Sequence, residues 1–292
     1  MTIIVSGANG YIGKAFLRRL LQTDNREIRA LVRSEKAKNE LTTEFYGLDV
    51  VVVDYLDRRS IDSALLEGAH LFHLVGTIRQ TRKFSFRAIH EDLCNAIVEV
   101  PTKLSKITSL SVTGASFHSI NSCLKSRANA DRVFDESDVP TAVVRIPMVL
   151  GGNGRASETL RKNARKRLVF SFRASSLEQP IFLDDVIAIL FESLKNKSLE
   201  GLFDLGGPET ITRRELIRLA GRIVRMNPVI ISLPLALVNF FAWLLEKTQK
   251  EPLISRATLG VLDHDDNVDN SDTLAAFGLT LTSLDVMLRE VL

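Results

Sequence analysis

Glycines at positions 7, 10 and 13, directly behind a short apolar run (Ile3, Ile4, Val5) that stops at Ser6, constrain this chain more than any other feature. An amphipathic pattern starts at Tyr11 and continues through Phe16, Leu17, Leu20 and Leu21, so the stretch predicts strand, glycine turn, helix. Each glycine has a mechanical task in such a unit. Gly7 permits the tight turn, Gly10 lets backbone approach a pyrophosphate, and Gly13 lets the helix pack closely on the strand. The helix start adds unpaired N–H groups and a partial positive charge, both suited to phosphate. Asn9, Tyr11 and Ile12 lie in the same turn and join the glycines as candidate dinucleotide contacts. An ordinary turn with fortuitous glycines is the competing reading, and the strand-to-helix setting argues against it.

Apolar runs then recur at Ile28 to Val32, Asp49 to Val53, Leu71 to Val75, Ile107 to Val112 and Thr141 to Ile146. Helical patterns separate the later ones, near 60–67, 84–100 and 123–136, with Pro101 stopping the second. Such alternation predicts an α/β fold with a doubly wound parallel sheet. The run Val50–Val53 is so uniformly apolar that it reads as a strand buried on both faces. In a dinucleotide-binding sheet, an acidic residue at the end of the second strand holds ribose hydroxyls, whereas a basic one accommodates a 2′-phosphate. Arg33 stands there, supported by Ser34 and Lys36 or Lys38, and points to NADP(H) in preference to NAD(H). A solvated basic loop is the alternative. Asp54 and Tyr55 end the third strand, where adenine should rest, and Leu74, Val75 and Gly76 end the fourth.

A chain of 292 residues accommodates one large domain or one with an intimate second lobe. We expect a dinucleotide-binding domain over 1–150 and a smaller α+β substrate lobe over 151–292, with room for the two to interleave. Apolar content of 45%, charged content of 25% and a net charge of +3 describe an ordinary globular protein and give no reason to expect a nucleic-acid partner. Two cysteines, Cys94 and Cys123, make no disulfide framework, and no signal peptide is apparent, so a cytoplasmic setting is expected. The histidines are scattered and suggest no metal site; His70 and His73 should face opposite sides of their strand. Asp184 and Asp185 are expected to cap one helix in preference to acting as an acid pair, and Thr212 with Glu215 to form a capping box on another.

Two further stretches bear on partners. Arg161 to Arg167 is a basic run, read either as a solvated helix face or as a surface for anionic lipid or a protein partner. Val229 to Leu245 is the most apolar segment; it contains Trp243 and is interrupted by Pro234 and Asn239. It reads either as core of the second lobe or as an apolar helix bordering a site for a lipophilic small molecule. Peripheral membrane or protein-complex association is the further option.

The Gly-x-x-Gly-x-x-Gly spacing resembles the extended and atypical short-chain dehydrogenase/reductases. Phe-Leu-Asp-Asp-Val at 182–186, Gly-Gly-Pro-Glu at 206–209 and Ala-Ala-Phe-Gly-Leu at 275–279 sharpen the resemblance toward NmrA-like proteins and the nucleotide-binding accessory subunit of respiratory complex I. It implies a Rossmann sheet, a nicotinamide dinucleotide and a Ser/Tyr/Lys catalytic set. Ser111 stands in the serine's place. The stretch 121–131 resembles the atypical Tyr-Leu-Arg-Ser-Lys pattern with Cys123 in the tyrosine's place and Arg127 in the lysine's, Arg127 then also contacting the ribose; the other register pairs Asn121 with Lys125. Neither register holds a tyrosine, and Tyr11, Tyr46 and Tyr55 all lie far upstream. The resemblance therefore implies an intact nucleotide half and an altered proton-transfer half. It leaves a cofactor-sensing or assembly role, an oxidoreductase acting on a lipophilic carbonyl or quinone, and last a sugar-nucleotide epimerase or dehydratase.

Overall fold

The computed structural model describes residues 1–81, 84–248, 256–261 and 263–292. The first half alternates as the apolar runs require: β1 (Ile3–Ser6), α1 (Tyr11–Thr23), β2 (Ile28–Val32), α2 (Glu35–Glu44), β3 (Asp49–Val52), α3 (Arg58–Ala64) and β4 (His70–His73). There follow α4 (Leu93–Glu99), β5 (Lys106–Val112), α5 (Ser122–Asp135) and β6 (Thr141–Ile146). The helix expected over 84–100 is not uniform, because a π-helical turn at Ala88–Asp92 precedes α4. That turn carries His90 inward, where its ring stacks on Phe86.

Every pairing in the main sheet is parallel, and the strand order is β3-β2-β1-β4-β5-β6 with a seventh strand beyond β6. β1 is central and wholly buried. Its alternate side chains feed two cores, Ile3 and Val5 packing with Phe16, Leu17 and Phe72, and Ile4 packing with Leu71, Ile97 and Phe134. The Val50–Val53 run is covered on both faces as expected, Val50 and Val52 by one core and Val51 and Val53 by the other, but not completely. β3 is the edge strand, so Val51 and Val52 have neighbours on one side only and are half-buried.

The second half begins with β7 (Val149–Leu150), α6 (Arg155–Ala164), β8 (Leu168–Phe172), β9 (Leu177–Glu178), β10 (Ile181–Phe182) and α7 (Leu183–Lys195). It continues through β11 (Gly201–Asp204), β12 (Ile211–Thr212), α8 (Arg213–Ile223), β13 (Val229–Leu233), α9 (Leu235–Thr248), α10 (Arg256–Val261), α11 (Ser271–Phe277) and α12 (Leu284–Val291). The two halves interleave. β11 pairs with β6 as the seventh strand of the main sheet, and α7 lays Val186, Ile187 and Leu190 into the core shared with α1. What remains separate is a small lobe in which Leu160, Val169, Leu216, Ile230 and Met287 bring α6, β8, α8, β13 and α12 together.

Local chemistry explains several helix starts. Thr212 and Glu215 form the expected capping box on α8. The aspartates at 184 and 185 do not cap α7, whose cap position is Phe182; they occupy its first turn, where a negative charge complements the helix dipole. Asp185 accepts hydrogen bonds from the Thr282 amide (2.9 Å) and hydroxyl (2.8 Å), which fastens the approach to α12 onto α7. Pro234 divides the apolar segment expected as one helix into strand β13 and helix α9.

Candidate functional site

In an open parallel sheet the ligand crevice lies outside the carboxyl ends of the strands where the chain order reverses, here between β1 and β4. The glycine turn forms its floor. Gly7 has φ +71°, in the left-handed region, and a Cβ there would sit 2.7 Å from the Leu74 carbonyl oxygen, so β1 and the end of β4 can close together only around glycine. The Gly10 amide donates to Gly7 O at 2.9 Å, and Gly10 caps α1 without any side-chain hydrogen bond or acidic residue in the first turn. A Cβ on Gly10 would meet nothing but Gly7 O within 4 Å, whereas one on Gly13 would fall 2.4 Å from that oxygen. Gly10 thus faces open space while Gly13 is locked against backbone.

Among the other expected contacts, Asn9 and Ile12 are half-buried in the turn, and Arg33 and Asp54 are exposed at the ends of β2 and β3. The Arg33 guanidinium lies 5.8 Å from the centre of the Phe84 ring, and Ser34 caps α2 by accepting from Ala37 N. Tyr55 differs from a free stacking ring. It is buried, its hydroxyl donates to Leu31 O (3.3 Å), and burial raises its pKa to about 12, so it braces β2 from beneath. Tyr11 also serves as a tether. Its hydroxyl donates to Gly151 O at 2.6 Å, which joins the glycine turn to the second lobe. Burial, then the nearby Asp184 charge, pushes its pKa to about 12.

Leu74, Val75 and Gly76 line the β4 side, and Arg127 reaches them from α5. Its guanidinium donates to Val75 O (3.3 Å) and occupies the space a Gly76 side chain would need. Desolvation pulls its pKa down, and His73 and His90 nearby are held neutral by their own burial, at about 3 and about 2. His73 Nδ1 lies 3.0 Å from the Ser6 hydroxyl, and His90 Nε2 accepts from Thr77 N at 3.4 Å. On the opposite face of β4, His70 meets Thr108 (2.8 Å), which meets Ser193 of α7 (2.6 Å).

The remaining two candidates of the catalytic set are turned inward. Ser111 is buried at the end of β5; its hydroxyl has no hydrogen-bond partner of good geometry, although it lies close enough to Asp131 to steady that carboxylate. Cys123 is buried with Phe86, Leu124 and Val261, its sulfur 3.5 Å from Thr77 O, and burial pushes its pKa up to about 11. A thiol so placed exchanges no proton near neutral pH. Asn121, partner in the alternative register, caps α5 through its Oδ1, which accepts from the amides of Cys123 (2.9 Å) and Leu124 (3.1 Å).

Sequence reasoning passed over a cluster at the end of β5. Thr113 donates to Asp266 (2.6 Å), and His264 Nε2 bonds to the same carboxylate oxygen at 3.0 Å. The Asp266 hydrogen bond raises the His264 pKa, but His264 Nδ1 is buried, so neither ring nitrogen is offered to the crevice. The cluster fastens the extended segment 263–270 across the strand ends, with Gln179 bonding Val268 N and O further along. An Asp and a His two residues apart in a stretch without periodicity gave no signal in the sequence.

The NmrA-like family matches residues 1–103. A mitochondrial NADH dehydrogenase [ubiquinone] 1 alpha subcomplex subunit 9 from Arabidopsis thaliana is 23% identical over 82% of this chain, which spans 61% of that relative's length. The 40 kDa subunit of mitochondrial NADH-ubiquinone oxidoreductase from Neurospora crassa is 22% identical over 92% of this chain and 72% of its own. Among solved structures, triphenylmethane reductase from Citrobacter sp., complexed with NADP(H), has a TM-score of 0.76 at 16% identity, covering 99% of this chain and all (100%) of that one. The first 103 residues are thus similar to the NmrA-like family, most of the chain is similar to subunits of mitochondrial NADH-ubiquinone oxidoreductases, and its fold is that of a dinucleotide-binding reductase.

Proposed function

We propose that this chain binds a nicotinamide dinucleotide, NADP(H) in preference to NAD(H), and uses it as a sensed or structural ligand rather than as an ordinary dehydrogenase cofactor. The residues present fit the group. Gly10 leaves the space above the α1 N-terminus open to a pyrophosphate, and Arg33 stands exposed where a 2′-phosphate would lie. Bound dinucleotide would supply hydride chemistry, yet α5 carries no phenol to serve it. The observation that carries the reading is the burial of Cys123 beneath Thr77 O, with Arg127 turned onto Val75 O. NADP(H) in one structural neighbour, and curated relatives named as subunits of NADH dehydrogenase and of NADH-ubiquinone oxidoreductase, support binding and an assembly role.

Titration calorimetry with NADPH and NADH tests the preference. A charge-assisted contact to phosphate contributes roughly 1.5–3 kcal/mol, so NADPH should bind about tenfold to a hundredfold more tightly, and Arg33→Ala should remove most of that ratio. Equal affinities in the unmutated protein would overturn the NADP(H) assignment. Robust turnover of a carbonyl or quinone panel with NADPH would overturn the non-catalytic reading and favour an oxidoreductase with a proton source other than Cys123.

A further inference from the structure

We propose that the outer face of the β8–β13 ribbon docks on an anionic membrane surface. The two strands pair in parallel with Val229 opposite Leu168 and Ile231 opposite Phe170. These four side chains share one face, and they are exposed by 60%, 44%, 41% and 61% respectively, while Val169 and Ile230 between them are buried in the lobe core. Alternation in a ribbon normally puts polar residues on the outside. Here both faces are apolar.

Parallel pairing also decides where the charge goes. The residues leading into β8 and those leading into β13 arrive at the same end of the ribbon, and the Val229 amide donates to Arg167 O at 2.9 Å. Lys166 and Arg167 therefore arrive at the same end as Arg225, all exposed, with Arg165 next to them donating to Leu292 O (3.1 Å). Neither 159–177 nor 216–245 contains an aspartate or glutamate. The ribbon runs through Pro234 into α9, where Trp243 is partly exposed with Lys247 Nζ 4.1 Å from its ring centre.

An apolar face with a basic rim at its leading end, while Arg173 at the other end is already paired with Asp263 (2.7 Å) and Asp265 (3.1 Å), selects among occupants. A second copy of this chain would bring like charges together across a two-fold axis, and a neutral apolar partner would leave the rim unused. Anionic headgroups satisfy the rim while the interfacial region takes Phe170 and Ile231. No helix among the described residues is long and apolar enough to cross a membrane, so the contact is peripheral.

Co-sedimentation of the full chain with phosphatidylcholine vesicles, with and without 30 mol% phosphatidylglycerol (roughly the anionic content that gives a surface potential of tens of millivolts), tests this at low and high salt. Binding should require the anionic lipid and weaken with salt. The variant Lys166→Gln/Arg167→Gln/Arg225→Gln should bind about a hundredfold less, from a factor of about five per basic residue at the surface. Phe170→Ser/Ile231→Ser should weaken binding while lowering the thermal midpoint only slightly, because both side chains are largely outside the lobe core. Binding unchanged by either variant, or no binding to anionic vesicles by folded protein, would overturn the proposal. So would concentration-dependent self-association, or capture of an acidic protein, that Phe170→Ser/Ile231→Ser abolishes while vesicles are ignored.

Discussion

Between pH 7 and pH 5 three buried histidines by themselves should cost this protein about 6 kcal/mol of stability, at a limiting slope of about 4 kcal/mol per pH unit. His70 and His73 have their pKa pulled to about 3, and His90 to about 2, in each case mainly by desolvation. Each is neutral in the folded state and titrates near 6.5 in the unfolded chain. Above that value neither state binds the proton and stability is complete. As pH falls below it, the unfolded chain takes up three protons that the folded state refuses, which favours unfolding. Asp131, Glu178 and Asp185 act in the opposite sense, since burial raises their folded pKa and their protonation on folding becomes favourable at lower pH. His264 also opposes the loss, since the Asp266 hydrogen bond raises its folded pKa and folding favours its protonated form. A loss of this size approaches the whole stability of a typical domain. Urea titrations at half-unit intervals from pH 7.5 to 5 measure it, and a flat dependence would contradict the burial of these rings. His73→Gln should cut the slope by about a third, because Gln can still meet the Ser6 hydroxyl but has no proton to gain.

Gly13→Val should abolish dinucleotide binding and lower stability, whereas Gly10→Ala should damage binding alone. A Cβ on Gly13 would lie 2.4 Å from Gly7 O, 2.8 Å from Ala8 O and 2.9 Å from Ala8 Cα. All three are backbone atoms that cannot rotate away, so α1 must shift off the turn that aims its amides. Overpacking of this kind costs about 1–3 kcal/mol, and misaimed amides should weaken binding by more than a hundredfold. A methyl on Gly10 meets just Gly7 O, at 3.0 Å, and otherwise projects into open space. The folded protein should tolerate it with little change in thermal midpoint. A pyrophosphate approaching the α1 N-terminus would meet that methyl directly, so the expected loss is tenfold or more in affinity. Thermal melts and NADPH titration of both variants separate the roles. Parent-like binding by Gly10→Ala would place the ligand elsewhere.

The sequence by itself determined the β1–turn–α1 unit, the strands Ile28–Val32 and Thr141–Ile146 to the residue, and the capping box at Thr212 and Glu215. These depend on contacts within a few residues, where periodicity, glycine geometry and side-chain-to-backbone bonds act directly. Tertiary structure decided what lies far along the chain. An apolar run says that a face avoids water but not how many neighbours it will find, so Val51 and Val52 became half-buried once β3 took the sheet edge. The family resemblance put Cys123 in a proton donor's place, but packing against Phe86 and Val261 buries its thiol. Tyr11 and Tyr55 bear hydroxyls bonded to Gly151 and Leu31, partners 140 and 24 residues away that no local pattern could supply. The basic run at 161–167 and the apolar run at 229–233 were each legible alone. Their meeting at one end of one ribbon is a matter of parallel strand register, which pairs residues across some sixty positions of sequence.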